Sequence, residues 1–130
     1  SESFQNEILQ LSEKNKIILI YPVPEIGWDP QKKFFLKGEK FNLNTSYDVF
    51  KERTKSSFEL LNSIEGKNIY RVYPHELFCN SLIPNRCITH DKDKLYYFDD
   101  VHLSLHGAEL INNLIIKEIN KIEKSYKENN

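Results

Sequence analysis

The chain has 130 residues, of which 39% are hydrophobic and 28% are charged, and its net charge is −1. The length favours one domain, and the near-neutral charge gives no reason to expect nucleic acid or an anionic membrane as a partner. No apolar run approaches the roughly 20 residues of a membrane-spanning helix, so no direct span is expected. Residues 1–16 also lack the basic start and apolar core of a signal peptide.

The first third of the chain predicts a helix, a buried strand and a long loop. Residues 2–13 place apolar side chains on one helical face, among them Phe4, Ile8 and Leu11. The apolar run of residues 16–21 ends at prolines and is typical of a strand in a parallel sheet. Residues 25–45 predict a long loop, of a kind that is usually functional or poorly ordered. Its aromatic side chains could form an apolar lid, although local packing is favoured; they are Trp28, Phe34 and Phe35.

The middle of the chain repeats this pattern. Helical spacing returns over residues 46–64, and Gly66 is a plausible stop. Residues 68–73 form a second strand candidate that ends at a proline, and residues 75–94 form a loop. His75 and His90 lie in this loop and are expected to be exposed to solvent.

The last third predicts a short apolar segment followed by a helix. Three aromatic residues are expected in the core of the sheet: Tyr96, Tyr97 and Phe98. Ser104 is a good N-cap for the final helix. The apolar face of that helix consists of Ile111, Leu114, Ile115, Ile119 and Ile122.

This order of elements indicates an α/β layered fold with a short parallel sheet. Only two strands are convincing, and each would expose a hydrogen-bonding edge. We therefore expect residues 1–130 to be one domain, truncated, and equivalent to the C-terminal portion of a larger α/β domain. The absence of any Met agrees with a fragment. Exposed sheet edges also favour a homo-oligomer.

The two cysteines, Cys79 and Cys87, flank a segment that favours turns because it contains Asn80, Pro84 and Asn85. One interpretation is a disulfide in an oxidising compartment. The other is a pair of free, half-buried thiols in a cytosolic protein. A metal site with two cysteines is less favoured, since the sequence contains no Cys-x-x-Cys pair.

Side chains that could take part in catalysis are most concentrated at residues 99–108, where a strand-like segment leads into a helix. Asp99, three residues before His102, could orient the imidazole, and the other ring nitrogen would then be free to accept a proton. This arrangement is the acid–base half of a Ser-His-Asp triad. Alternatively, His102 caps or packs in the turn. Asp100 is interpreted as a solvated carboxylate. A metal held by His102 and His106 is disfavoured, because an N-cap at Ser104 places His102 before the helix.

Residues 97–108, Tyr-Phe-Asp-Asp-Val-His-Leu-Ser-Leu-His-Gly-Ala, resemble the last motif block of the SGNH (GDSL-type) hydrolase superfamily. They look most like the SGNH domains fused to acyltransferase-3 membrane proteins, which O-acetylate surface polysaccharides. The proline turn after the first strand and the cysteine pair also match that group. The resemblance implies a partial three-layer α/β/α fold, with Asp99 orienting His102 and His102 acting as general base. It also implies a glycan or acyl-ester substrate, no cofactor and no metal.

The same resemblance implies an extracytoplasmic domain with Cys79 and Cys87 joined in a disulfide, although a cytoplasmic location stays open. One departure matters more than the match: the family's Gly-Asp-Ser nucleophile block does not occur in this sequence. We therefore expect the isolated chain to be catalytically inactive, as the C-terminal part of an SGNH-type O-acyltransferase or esterase domain. The alternative is a non-catalytic SGNH-like binding or assembly module.

Overall fold

The computed structural model describes residues 2–30, 43–92 and 94–129. In chain order the elements are α1 (Glu2–Ser12), β1 (Ile17–Ile20), β2 (Asn44–Ser46), α2 (Tyr47–Arg53), α3 (Lys55–Asn62), β3 (Ile69–Val72), a 3-10 turn (Pro74–Leu77), β4 (Arg86–Ile88) and α4 (Leu105–Asn129).

The two predicted strands form a parallel pair. In β1 and β3, Ile17 lies opposite Ile69, and Ile20 lies opposite Val72. Both strands are rich in β-branched residues, which fit the pleated surface of a sheet. The predicted α/β architecture with a short parallel sheet is therefore confirmed.

Helices cover both faces of this sheet. Leu19 and Ile69 belong to a buried cluster that packs against apolar side chains of α1 and α3, namely Ile8, Leu9, Phe58 and Leu61. On the other face, Val72 lines a cleft together with Leu114 of α4. The result is a small α/β/α sandwich, although Phe4 and Leu11 of the predicted α1 stripe are 38% and 53% exposed.

The helix predicted over residues 46–64 is two helices. Ser46 caps α2 by accepting a hydrogen bond from the backbone N–H of Val49. At Thr54 both the backbone N–H and the hydroxyl donate to the carbonyl of Phe50. Helix α3 begins at the next residue and ends at Asn62, before Gly66. A continuous helix would separate Phe50 and Phe58 by about 12 Å along its axis. The break allows their ring centroids to lie 6.1 Å apart.

A second small sheet was not expected from the sequence. Strands β2 and β4 pair in antiparallel fashion, with Asn44 opposite Ile88. Cys87 of β4 forms a disulfide with Cys79, so the disulfide interpretation is confirmed and the free-thiol interpretation is wrong. Asn80 and Asn85 adopt left-handed backbone angles, with φ of 53° and 61°. Asparagine tolerates this conformation better than most residues, which explains how so short a loop closes.

The final helix begins where the sequence predicts. The Ser104 hydroxyl accepts a hydrogen bond from the backbone N–H of Gly107 at 3.1 Å, and α4 starts at the next residue, Leu105. Ile111 and Ile122 of the predicted stripe are buried, whereas Ile119 is 40% exposed. Among the described residues, no helix combines the length and apolar character needed to cross a membrane.

Candidate functional site

Residues 95–104 form a tight loop that leads into α4. Its two arms are joined by backbone hydrogen bonds from Phe98 N to the His102 carbonyl at 2.8 Å and from Ser104 N to the Tyr96 carbonyl at 2.9 Å. The Ser104 hydroxyl also donates to the carbonyl of Leu95 at 2.6 Å. Residues 99–102 therefore lie at the tip of a closed loop.

At this tip, Asp99 and His102 contact each other directly. The His102 Nδ1 atom lies 3.0 Å from Oδ1 and 2.9 Å from Oδ2 of Asp99. Asp99 Oδ1 also accepts the backbone N–H groups of Val101 at 2.9 Å and of His102 at 2.7 Å. One carboxylate thus fixes both the turn and the imidazole, as short polar side chains do in an Asx turn.

The same contacts set the charge of Asp99. The backbone N–H groups of Val101 and His102, followed by the His102 side chain, hold the pKa of the Asp99 carboxyl below its usual range. An ionised carboxylate only accepts hydrogen bonds, so His102 Nδ1 must donate. In the neutral imidazole, Nε2 is then an unprotonated acceptor.

The imidazole is open to solvent, because the His102 side chain is 75% exposed and that of Asp99 is 41% exposed. The arrangement can therefore take a proton from a group that approaches Nε2, while Asp99 stabilises the imidazolium that results. The geometry brings together the two residues that the sequence singled out.

The proline turn after β1 supports the loop from behind. Tyr97 is buried, and its hydroxyl donates to the carbonyl of Pro24 at 2.7 Å. In return, the backbone N–H of Ile26 donates to the carbonyl of Asp100 at 2.9 Å. The side chain of Asp100 is exposed, in agreement with a solvated carboxylate. Its structural contribution is made through its backbone.

Gly107 is a residue whose importance the sequence reasoning missed. A Cβ atom at this position would lie 2.1 Å from the carbonyl oxygen of Tyr96, a distance that atoms do not tolerate. Only glycine lets the first turn of α4 approach the loop so closely. The sequence did contain a sign of this role. Glycine lowers helix stability by about 1 kcal/mol relative to alanine, so a glycine within a predicted helix suggests a packing reason.

His106 does not share a site with His102. Its Nε2 atom lies 2.5 Å from Asp91 Oδ2, and its ring stacks on Tyr96 with centroids 5.6 Å apart. No group of three His, Cys, Asp or Glu side chains within the described ranges could hold a metal ion. The partnership with Asp91 was missed because 15 residues separate the two, and no local pattern links them.

Three further expectations are wrong. Phe98 is 62% exposed, whereas its neighbours Tyr96 and Tyr97 are buried, in a cluster with Phe78 and Ile111 rather than in a strand of the sheet. His75 is buried, with only 6% of its surface exposed. His90 is half-buried, and its Nε2 accepts the backbone N–H of Leu43 at 3.3 Å.

The aromatic residues of the long loop divide into two groups. Trp28 is partly buried and packs against the cluster that contains Tyr97, which supports local packing for this residue. Phe34 and Phe35 lie outside the described residues.

Comparison with known proteins adds one match. A family model described as the SGNH domain fused to AT3 domains matches residues 1–117, which is most of the chain and includes the whole loop with Asp99 and His102. Neither the curated proteins nor the solved structures give a significant match. The chain therefore belongs to the family of SGNH domains that are fused to AT3 domains.

Proposed function

We propose that this chain contributes the Asp–His half of a serine acyl-transfer site, in an SGNH-type O-acyltransferase or esterase that acts on a cell-surface glycan. His102 is the general base and Asp99 orients it. The serine nucleophile and the oxyanion donors would come from motif blocks that this sequence does not contain. Alone, the pair has no nucleophile to activate.

In the complete site, His102 Nε2 would take the proton of the serine hydroxyl as the serine oxygen attacks the acyl carbonyl. The same nitrogen would return that proton to the leaving alcohol, and an acyl-enzyme would remain. A glycan hydroxyl or water would then accept the acyl group by the reverse sequence of proton transfers. Asp99 would stay ionised throughout and stabilise the imidazolium, a role that its lowered pKa favours.

The single observation that carries this proposal is the contact of both Asp99 oxygens with His102 Nδ1, at 3.0 and 2.9 Å, beneath an exposed imidazole. A histidine that merely packs in a turn needs neither a carboxylate partner nor a solvent-facing second nitrogen. The membership of the family supports the same reaction class.

An extracytoplasmic location is part of the proposal. The disulfide between Cys79 and Cys87 supports it, because disulfides persist in oxidising compartments and are rare in the cytosol. Mass spectrometry of the native protein without reductant tests this point: a fully reduced pair in protein isolated from its own cell would contradict it.

Hydrolysis of p-nitrophenyl acetate tests the catalytic assignment. The isolated chain and its His102→Ala variant should hydrolyse the ester at the same rate, and turnover that depends on His102 would overturn the proposed inactivity. In the product of the full open reading frame, Asp99→Asn should lower kcat by about 10⁴, the effect known for the equivalent change in serine proteases.

Asp100→Asn is the matched control, because it alters the adjacent carboxylate, whose side chain is exposed. It should leave kcat nearly unchanged. Equal losses in the two variants would refute the assignment of Asp99. If the full reading frame lacks a Gly-Asp-Ser block, the non-catalytic module becomes the better proposal.

Self-association through sheet edges is also proposed. Within the described residues β1 pairs only with β3, and Ile20 of β1 is 48% exposed. Edge strands of this kind can pair with a second copy. Light scattering at high protein concentration should show a dimer or larger species, and a strictly monomeric profile would contradict this.

A further inference from the structure

A cleft between α2 and α3, away from the Asp99–His102 loop, has the composition of a ligand site. Its volume is about 270 Å³. The apolar lining consists of three aromatic rings: Tyr47, Phe50 and Phe58. Small-molecule sites are mostly apolar concavities with a few polar groups that fix the orientation of the ligand.

His75 is the polar group at the floor of this cleft. It lines the cleft, yet only 6% of its surface is exposed. Its ring lies 5.4 Å from that of Phe50 and 5.2 Å from that of Phe58. Burial holds the pKa of His75 below its usual value, with the nearby Glu76 carboxylate acting in the opposite direction.

The hydrogen bonds of His75 indicate what a ligand must offer. Its Nδ1 atom is enclosed and has no hydrogen-bond partner. Buried N–H groups without an acceptor are rarer than buried acceptors without a donor, so the favoured tautomer carries its proton on Nε2. In that tautomer Nε2 is the ring's only donor, so a ligand that reaches it must offer an acceptor.

The charged side chains of the lining are Lys51, Lys55 and Glu59. The Lys51 and Lys55 side chains are 53% and 76% exposed, so they lie at the mouth rather than at the floor. Lys51 pairs with Asp48 at 3.2 Å and Lys55 with Glu59 at 4.0 Å. Exposed pairs of this kind are weak, so both ammonium groups can also attract an anion.

We propose that this cleft binds a small aromatic carboxylate that carries a hydrogen-bond acceptor opposite its carboxylate. The ring lies among Tyr47, Phe50 and Phe58, the far acceptor meets His75 Nε2–H, and the carboxylate faces Lys51 and Lys55. This site is independent of the acyl-transfer proposal.

The test uses 4-hydroxybenzoate, with benzoate and phenol as probes that each lack one polar end. In ¹H–¹⁵N spectra of the chain, 4-hydroxybenzoate should shift the signals of α2, α3 and the Pro74–Leu77 turn. Benzoate should bind about fivefold more weakly, because it makes no hydrogen bond to His75. Phenol should also bind about fivefold more weakly, because it has no charge to meet the lysines.

Variants separate the two ends of the cleft. The double substitution Lys51→Ala and Lys55→Ala should weaken 4-hydroxybenzoate about fivefold without affecting the fold. Lys124→Ala is the matched control, since Lys124 makes an exposed pair with Glu128 on α4 and should have no effect. His75→Phe should reduce the affinity for 4-hydroxybenzoate to that for benzoate.

Because His75→Phe alters a buried residue, the lysine variants and the ranking of the three probes decide the outcome if that variant does not fold. The proposal is overturned if 4-hydroxybenzoate leaves these signals unshifted. It is also overturned if all three probes bind equally, or if Lys124→Ala weakens binding as much as the double variant does.

Discussion

Replacing Gly107 with alanine tests whether close packing of α4 on the loop holds the Asp99–His102 tip in place. The added Cβ would lie 2.1 Å from the Tyr96 carbonyl oxygen, whereas ordinary contacts begin near 3.4 Å. The helix and the loop must therefore move apart by more than 1 Å. The position of a Cβ is fixed by its own backbone and the atom it meets is a backbone oxygen, so no side-chain rotation can relieve the clash.

The expected loss of stability follows from the contacts that this movement disturbs. Overpacking of this kind costs about 1–3 kcal/mol. The Tyr96 carbonyl also accepts the backbone N–H of Ser104, and the Gly107 N–H donates to the Ser104 hydroxyl that caps α4. Weakening a cap and a hydrogen bond costs about 1 kcal/mol each, while alanine returns about 1 kcal/mol of helix propensity. We expect a net loss of about 3 kcal/mol.

Urea unfolding followed by circular dichroism measures this loss, with an unchanged m-value as the check on two-state behaviour. Gly66→Ala is the matched control, because its Cβ would meet Ile69 at 3.5 Å and Leu9 at 3.8 Å, which are ordinary contacts. It should be neutral or stabilising by up to about 1 kcal/mol. The reasoning fails if Gly107→Ala lies within about 1 kcal/mol of the wild type, or if both variants lose stability equally.

Three further predictions concern the disulfide, the carboxylate and the buried tyrosine. Replacing Cys79 and Cys87 with alanine should lower the free energy of unfolding by about 2.5 kcal/mol, the chain-entropy value for so short a loop. In a ¹³C NMR titration, the pKa of Asp99 should lie below the ordinary aspartate value. The stability that ionised Asp99 contributes is fully present above the pKa of the unfolded chain, and it is lost as the pH falls through the lower pKa of the folded chain. Tyr97→Phe should cost about 1–2 kcal/mol in thermal or urea unfolding, because the carbonyl of Pro24 then loses its donor.

Each of these predictions has an outcome that would refute it. Reductant should destabilise the wild type but not the double alanine variant, and equal sensitivity would show that the disulfide contributes nothing. A titration midpoint for Asp99 at or above the ordinary value would mean that its backbone hydrogen bonds do not persist in solution. Tyr96→Phe is the control for Tyr97→Phe, since Tyr96 is the neighbouring buried tyrosine and also loses only a hydroxyl. Equal losses would remove the special role of Tyr97.

The sequence predicted those parts of the fold that depend on local patterns. Apolar runs that end at prolines located β1 and β3. Ser104, a good N-cap residue, located the start of α4. It did not predict β2 and β4, because three-residue strands have no periodicity and their partners lie about 40 residues apart. The break at Thr54 was also hidden, since the apolar spacing continues across it.

In the candidate site, too, contacts between residues close in sequence were predictable and contacts between distant residues were not. Asp99 and His102 are three residues apart, so one turn of backbone brings them together. The spacing alone was a weak signal, and the string of residues around it carried the prediction. The partner of His106 is 15 residues away. His75 follows a proline in a segment without periodicity, which favours exposure, yet rings from α2 and α3 enclose it. Burial of this kind is a tertiary property that no local pattern encodes.

The Asp99–His102 pair therefore depends both on contacts that are local in sequence and on long-range tertiary contacts. Its internal geometry is local, because Asp99 holds two backbone N–H groups and the imidazole within one turn. Its position is tertiary, because Tyr97 ties the loop to the proline turn and Gly107 lets α4 press against it. Changes at Asp99 should thus disturb the orientation of His102 in a folded chain, whereas changes at Tyr97 or Gly107 should lower stability first. Since the contacts with Asp99 already orient the imidazole, a serine placed beside His102 Nε2 would meet a base that needs no further positioning.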